Sequence, residues 1–277
     1  MRSIISIFFI SILSFSALGQ DSLVTSSYSS DKESPYKTSW KVDGPVTAGF
    51  IGLNVLGLSL IQNKEPLTTA ELAAKNKSDV PFFDRFSAGD YSDNADKVSY
   101  LPFYASFAMP VVMLINKNER SKAGQILGIY VETMAVTGAI YSLTAGTINR
   151  SRPYTYGNEA PMAEKTKNGA QRSFFAGHTA ATASATFFAA KVFSDFNPDS
   201  KAKPYVWAAA AILPASVGYL RMRGGMHFLS DNIIGYAIGA GVGILVPHLH
   251  KKSTNTNLSI VPVKTLEYDG LQLSYKF

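Results

Sequence analysis

The amino-acid sequence predicts an all-α protein: a bundle of six helices followed by a short C-terminal β-hairpin. Three observations lead there. Apolar stretches of about 17–26 residues recur six times between Gly44 and Leu249, a length that at about 1.5 Å per residue approaches the thickness of a bilayer's hydrocarbon core. These stretches are rich in Ala, Gly, Ser and Thr, the residues that let helix backbones approach one another closely. Beyond His250 the pattern changes to two short, partly alternating runs divided by Asp269-Gly270, a hairpin-turn dipeptide.

Residues 1–19 have the form of a secretory signal peptide, with Arg2 as the positive start, Ile4 to Leu18 as the apolar run and Ala17-Leu18-Gly19 as the small-x-small site. An uncleaved anchor is the alternative, but the run is shorter than the ~20 residues a span wants. Residues 20–43 are rich in Ser and Lys and read as an exposed polar linker. The helical domain, residues 44–250, holds helix candidates over Gly44–Gln62, Val98–Ile115, Ala123–Ile148, Phe175–Phe193, Pro204–Leu220 and Phe228–Leu249. Between the first two, residues 63–97 are polar, with PLTTAEL offering a capped turn and SAGDYSDNAD a loop. Gly177, Ala181, Ala185 and Ala189 recur every fourth residue, as do Gly235, Gly239 and Gly243, so the fourth and sixth helices are expected at the centre of the bundle. Residues 251–277 form the hairpin tail. Its Leu271, Leu273, Tyr275, Phe277 alternation is like the last strand of an outer-membrane barrel, but two strands fall short of the eight a barrel needs.

Composition narrows the function classes. Hydrophobic residues are 46% and charged residues 17% of the 277, which excludes a disordered chain. The absence of cysteine excludes disulfides, thiol nucleophiles and thiolate metal sites. Lys and Arg number 26 against 20 Asp and Glu, and the net charge of +6 suits nucleic acid, an anionic membrane or a phosphate-bearing substrate without choosing among them. Only four histidines exist, so each is worth placing.

Three clusters stand at the ends of helix candidates: Arg150-Ser151-Arg152-Pro153, Ser173 to Thr179, and Arg221-x5-His227-x3-Asp231. If the last helix begins near Phe228, His227 and Asp231 lie on one side of its start, where the carboxylate would accept the imidazole Nδ1–H and leave Nε2 free as nucleophile or base. Gly177 opens the fourth helix, whose unpaired N–H groups and positive dipole end favour an anion, with His178 beside them as a proton donor. Arg152 and Arg221 add planar, permanently charged forks that match phosphoryl oxygens. Taken singly, Arg150 and Arg152 could be interfacial charges flanking a span. His248 and His250, beside two lysines, read as an interface anchor. Glu132, mid-helix among apolar residues, requires a partner, with Arg150, Arg152 or a hydroxyl as candidates.

In these clusters, and in their order, the sequence resembles the type 2 phosphatidic acid phosphatase and vanadium haloperoxidase superfamily, whose motifs read KxxxxxxRP, PSGH and SRxxxxxHxxxD. They stand here as AGTINRSRP, FAGH and LRMRGGMHFLSD, within a resemblance that covers about residues 98–250. It implies that His227 attacks phosphorus to give a phosphohistidine, that Asp231 orients it and that His178 protonates the leaving alkoxide. Arg152, Arg221 and the Gly177 N–H would hold the equatorial oxygens. The implied protein is a phosphatase of a phosphomonoester or diphosphate, needing no metal or other cofactor. Its expected partners are a phosphorylated lipid or small phosphoester and a membrane, not nucleic acid. A vanadate-dependent haloperoxidase, or an impaired protein that keeps the fold, are the alternatives.

The departures are specific. Ala145 replaces the motif lysine, Phe175 and Ala176 replace proline and serine, and Leu220 replaces the serine before Arg221. Arg150 and Arg223 are the expected spare cations, Arg150 as a phosphate-binding candidate. The resemblance also implies an exported protein in the cell membrane with its site facing the periplasm or outside. Six simple crossings from an exported terminus would reverse that orientation, which makes the first helix, broken by Gly and Asn54, the suspect for a non-spanning one.

Overall fold

The computed structural model describes residues 33–252, 258–264 and 269–275. The expected signal peptide and the first part of the expected linker lie outside the described residues. Helix α1 spans Trp40–Gln62, α2 Thr69–Ala74, α3 Asp93–Met113, α4 Lys117–Arg120, α5 Ala123–Thr147, α6 Met162–Lys165, α7 Gly177–Phe196, α8 Lys203–Arg223 and α9 Leu229–Leu249. All six long helices expected from the sequence are present, and α2, α4 and α6 are short turns in the connections. The capped turn in PLTTAEL is α2, where the Thr68 hydroxyl accepts the Glu71 N–H and Glu71 accepts the Thr68 N–H in return.

Two departures from the expectation change what is packed, one before α1 and one at the start of α3. Within the presumed linker residues 37–42 are exposed, but Tyr36 is buried: its hydroxyl donates to Asp195 Oδ2 at 2.8 Å, and its ring meets Phe196. It packs with Ile126, Ile129 and Phe188 in the main apolar cluster, so the chain is anchored before α1 begins. Helix α3 starts at Asp93, five residues before Val98, because Ser92 accepts the Ala95 N–H at 3.2 Å and Asp93 and Asp96 suit the positive end of a helix. What reads as loop in the sequence is therefore a first helical turn, and it carries Asp96 to the site.

Helix α7 is central, packing on α9, α8, α3 and α5, while α1 lies along α5. The expected glycine ladder of α9 is at the contact: a Cβ on Gly235 would come 2.6 Å from the Ala176 carbonyl oxygen, and one on Gly243 would come 2.5 Å from that of Ser184. Gly239 faces Ala180 in the same way. The facing row on α7 is thus Ala176, Ala180 and Ser184, one residue out of step with the Gly177, Ala181, Ala185, Ala189 row read from the sequence. Gly177 turns instead to α5, where the Tyr141 ring leaves no room for a side chain. Glu132 of α5 finds neither an arginine nor a hydroxyl as its partner; it lies beside His250, at the far end of α9.

Among the described residues, α1, α5 and α9 are long and apolar enough to cross a membrane. The suspected non-spanning first helix is therefore one of the three with a span's length and composition. Large apolar side chains face outward on α1, α3, α8 and α9, including Leu56, Val112, Ile212 and Ile233, an arrangement that suits lipid contact. After α9, strands β1 (Leu258–Lys264) and β2 (Asp269–Tyr275) pair antiparallel, with Lys264 opposite Asp269. Asp269-Gly270 accordingly opens β2 instead of forming the turn.

Candidate active site

The α5–α7 connection, the start of α7 and the α8–α9 corner meet at one end of the bundle. Gly225, at φ +71°, makes the turn out of α8 that presents Met226 and His227, a conformation that favours glycine. His227 is 1% exposed, and its Nδ1 donates to the Ser173 carbonyl oxygen at 2.6 Å. Because a carbonyl can only accept, Nδ1 carries the hydrogen, and Nε2 is left with its lone pair.

The expected bond from His227 to Asp231 is absent from this arrangement. Asp231, the third residue of α9, folds back over the helix start: Oδ2 accepts the Phe228 N–H at 2.9 Å and the Ser173 hydroxyl at 2.6 Å, and Oδ1 pairs with Arg150. Capping geometry turns this carboxylate away from the residue before the helix. Its influence on the imidazole runs through Ser173, which it holds by the hydroxyl while the same residue's carbonyl holds His227.

Arg150, expected as a spare phosphate ligand, is engaged by carboxylates. Its guanidinium bridges Asp231 and Asp84, reaching Asp84 Oδ2 at 2.7 Å, and lies over the Phe228 ring. Both carboxylates are fully buried, and Asp84 also accepts the Ser230 N–H at 2.9 Å and the Ser230 hydroxyl at 2.5 Å. Arg150 is a lock between the segment before α3 and the start of α9. Arg223 is exposed and lies near Asp90.

Arg152 and Arg221 do converge on the histidines. Both are buried and lie close enough to His227 and His178 for their charges to bear on both rings, as the charge of Arg172 does on His178. Arg221 pairs with Asp96 and lies over the Tyr100 ring, whereas Arg152 contacts the Met226 sulfur at 2.8 Å and, among the described residues, no carboxylate. The Nε–H groups of Arg152, Arg172 and Arg221 are buried without an acceptor among the described residues. Burying a charged donor unpaired costs about 1–3 kcal/mol or more, and three such donors are able to serve an anion.

His178, the second residue of α7, is wedged between Tyr100 and Phe103 of α3, with ring centroids 5.3 and 4.4 Å away. His178 also lies near enough to His227 for its charge to be felt there. Gly177 begins α7, and the Ala176 N–H before it is bonded to the Asp231 carbonyl at 3.0 Å, which aims the following N–H groups away from α9. Burial, and then the charges of Arg152 and Arg221, hold the His227 imidazole well below its usual pKa, so it is neutral and nucleophilic at neutral pH. Arg152 and Arg172 also line a cleft of about 470 Å³, together with Tyr154, Glu164, Lys167 and Gly169.

The structure therefore brings together His227, His178, Arg152, Arg221 and Gly177. It sets Asp231 one residue removed from the imidazole and turns Arg150 to another task. Four contributors were not singled out in the sequence. Arg172 is only one of several charges in a basic loop there, Ser173 opens the second cluster without a role of its own, and Asp96 and Tyr100 belong to a segment with no motif. The proximity of Asp96 and Tyr100 to the third cluster is long-range, as the 125-residue separation of Arg221 from Asp96 shows.

Residues 126–255 match the model of the PAP2 superfamily. Among solved structures, the chain is similar to a transmembrane PAP2 type phosphatidylglycerolphosphate phosphatase from Bacillus subtilis, at 17% identity and a TM-score of 0.42, over 76% of this chain and 96% of that one. No curated protein matches the chain.

Proposed function

We propose, on the premise that residues 126–255 belong to the PAP2 superfamily, that this protein is a membrane-associated phosphatase that hydrolyses a lipid phosphomonoester or diphosphate through His227. The observation that carries the reading is the set of three arginines, Arg152 and Arg221 buried and Arg172 partly so, whose buried Nε–H donors are unpaired among the described residues and whose charges bear on two imidazoles.

Bound phosphate would accept from Arg152, Arg172, Arg221 and the first N–H groups of α7. It would also neutralise the cations that press on His178, allowing that ring to hold the proton it must give. Nε2 of His227 then attacks phosphorus in line, the bond to the leaving oxygen breaks, and His178 protonates that oxygen. In the second step His178 takes a proton from water, the oxygen attacks phosphorus, and the P–N bond breaks to release inorganic phosphate and restore His227. As charge builds on the equatorial oxygens, the preoriented guanidinium groups supply most of the stabilisation. Arg172 takes the place of the cation lost at Ala145, which argues for a working site over an impaired one.

A lipid substrate is supported by what borders the site. An apolar groove of about 410 Å³ between α8 and α9, lined by Gly218, Met222, Leu229, Ile233 and Tyr236, lies next to Arg221 and Phe228 in the chain and opens on the outward apolar face. An acyl chain laid there would lead its headgroup towards the arginines.

The test is phosphate release from phosphatidic acid and from a soluble aryl phosphate by the full-length protein in detergent. Wild type should prefer the lipid, and His227→Ala should lose about 10³-fold or more of the rate. Equal rates for the two proteins would remove the proposal, and equal use of both substrates would remove its lipid part.

A further inference from the structure

Away from that site, a second cluster of titratable groups joins the start of α1, the middle of α5 and the end of α9, outside the machinery described above. Asp43 comes from the first turn of α1, Glu132 from α5, and His250 from the cap of α9. One ligand atom from each lies within 4.8 Å of the other two. We propose that these residues bind a first-row divalent metal ion of the zinc type, which ties the three helices together.

The hydrogen bonds define the chemistry. His250 Nδ1 faces the Val246 carbonyl at 2.9 Å and must donate to it, so the lone pair of a neutral ring is on Nε2. That lone pair points between two carboxylates, 3.6 Å from Asp43 Oδ1 and 3.4 Å from Glu132 Oε2. Three acceptors thus converge on one point. Glu132 is only 9% exposed, and no hydrogen-bond donor among the described residues reaches its carboxylate, an arrangement costly for an ionised group. Asp43 is held from behind, its other oxygen accepting the Ser39 N–H at 2.6 Å.

The spacings suit a shared ion. Bonds of about 2.0–2.2 Å in a tetrahedral shell place neighbouring ligand atoms roughly 3.3–3.6 Å apart. A carbonyl bonded to the non-ligating ring nitrogen is the usual way a metal-binding histidine is oriented. One imidazole and two carboxylates are three protein ligands, and a cavity of about 530 Å³ bordered by Trp40, Thr47, Gln125 and Gly128 leaves a side open for water as the fourth. The reading of His250 as an interface anchor is replaced by this one, since its side chain is 9% exposed.

The experiment uses full-length protein in detergent, purified without a polyhistidine tag, stripped with chelator and titrated with zinc. Bound metal is measured after desalting, and Tm is followed in parallel. One saturable equivalent per chain is expected, with a higher Tm on zinc addition. His250→Gln and Glu132→Gln should each weaken binding at least tenfold and lose the Tm response, whereas a His178→Ala/His227→Ala variant should keep both. Absence of a one-equivalent site in the wild type overturns the proposal, even if neither variant folds. So does zinc binding that follows the His178/His227 pair, or a Tm that zinc does not move. A cluster that is only a protonated histidine with two carboxylates would give the first of these results. The phosphatase reading is untouched by any of them.

Discussion

The two ends of α5 and α9 carry opposite chemistry on the same pair of helices. Where α5 ends and α9 begins, arginines and imidazoles gather, and the carboxylates present are each committed to a cation: Asp231 and Asp84 to Arg150, Asp96 to Arg221. Towards the other end, Glu132 from the middle of α5 and Asp43 face His250, and no Lys or Arg pairs with them among the described residues. Helix dipoles do not explain this. The start of α9 suits anions, yet it holds a buried carboxylate locked to an arginine; the end of α9 suits cations, and there a histidine meets acids. The lesson is that neutralisation state, not charge count, separates the ends. One end has donors in excess and fits an anion, the other has acceptors in excess and fits a cation.

The strongest way to break that comparison is at Arg150, because it alone balances two fully buried carboxylates. Arg150→Leu should cost about 3–5 kcal/mol of stability, seen as a large fall in Tm, because it leaves both acids uncompensated. A variant with unchanged Tm and merely weakened phosphate binding would instead make Arg150 a ligand. A smaller effect is expected at Arg172. It lies only partly buried in the cleft, so Arg172→Ala should lower kcat/KM for the lipid phosphate about tenfold, or about 1.4 kcal/mol, with little change in Tm. An unaltered kcat/KM would return the anion site to two arginines.

The contrast between these two arginines also shows what a sequence discloses. His178, Arg152, Arg221 and His227 stand beside helix ends at fixed local spacings, and local spacing is readable before any fold is known. The partner that decides a residue's role is not local. Arg150 and Arg152 are two positions apart and look alike in the chain, but one meets Asp84 across 66 residues and Asp231 across 81, and the other meets neither. Glu132 gives the same lesson: an ionisable group amid apolar residues announces that a partner exists, and the partner, His250, is 118 positions away. The long helices were legible because their apolar length leaves little else to form. The start of α3 was not, because the Ser92 cap is a single side-chain contact inside a polar stretch, and with it went the arrival of Asp96 and Tyr100 at the site.

The smallest expected effect concerns protons. His227 is held well below its usual pKa by burial first and then by Arg152 and Arg221. The attacking ring must be neutral, so the acid limb of kcat/KM set by His227 should lie below about pH 6.5, the ordinary imidazole value. Removing one of the cations lifts that restraint, and Arg152→Ala should move the limb towards higher pH on top of its loss in rate. Stability should follow the same group in the corresponding sense. Between its ordinary and its depressed pKa, the unfolded chain takes up the proton and the folded chain does not, so the contribution of His227 to folding is full above about pH 6.5 and falls as acid is added. In His227→Gln that part of the acid sensitivity should disappear from a Tm-against-pH curve. A curve identical to the wild type's would mean that the imidazole is already solvated in the folded protein, and the guanidinium trio would lose its claim to surround a dry, anion-sized site.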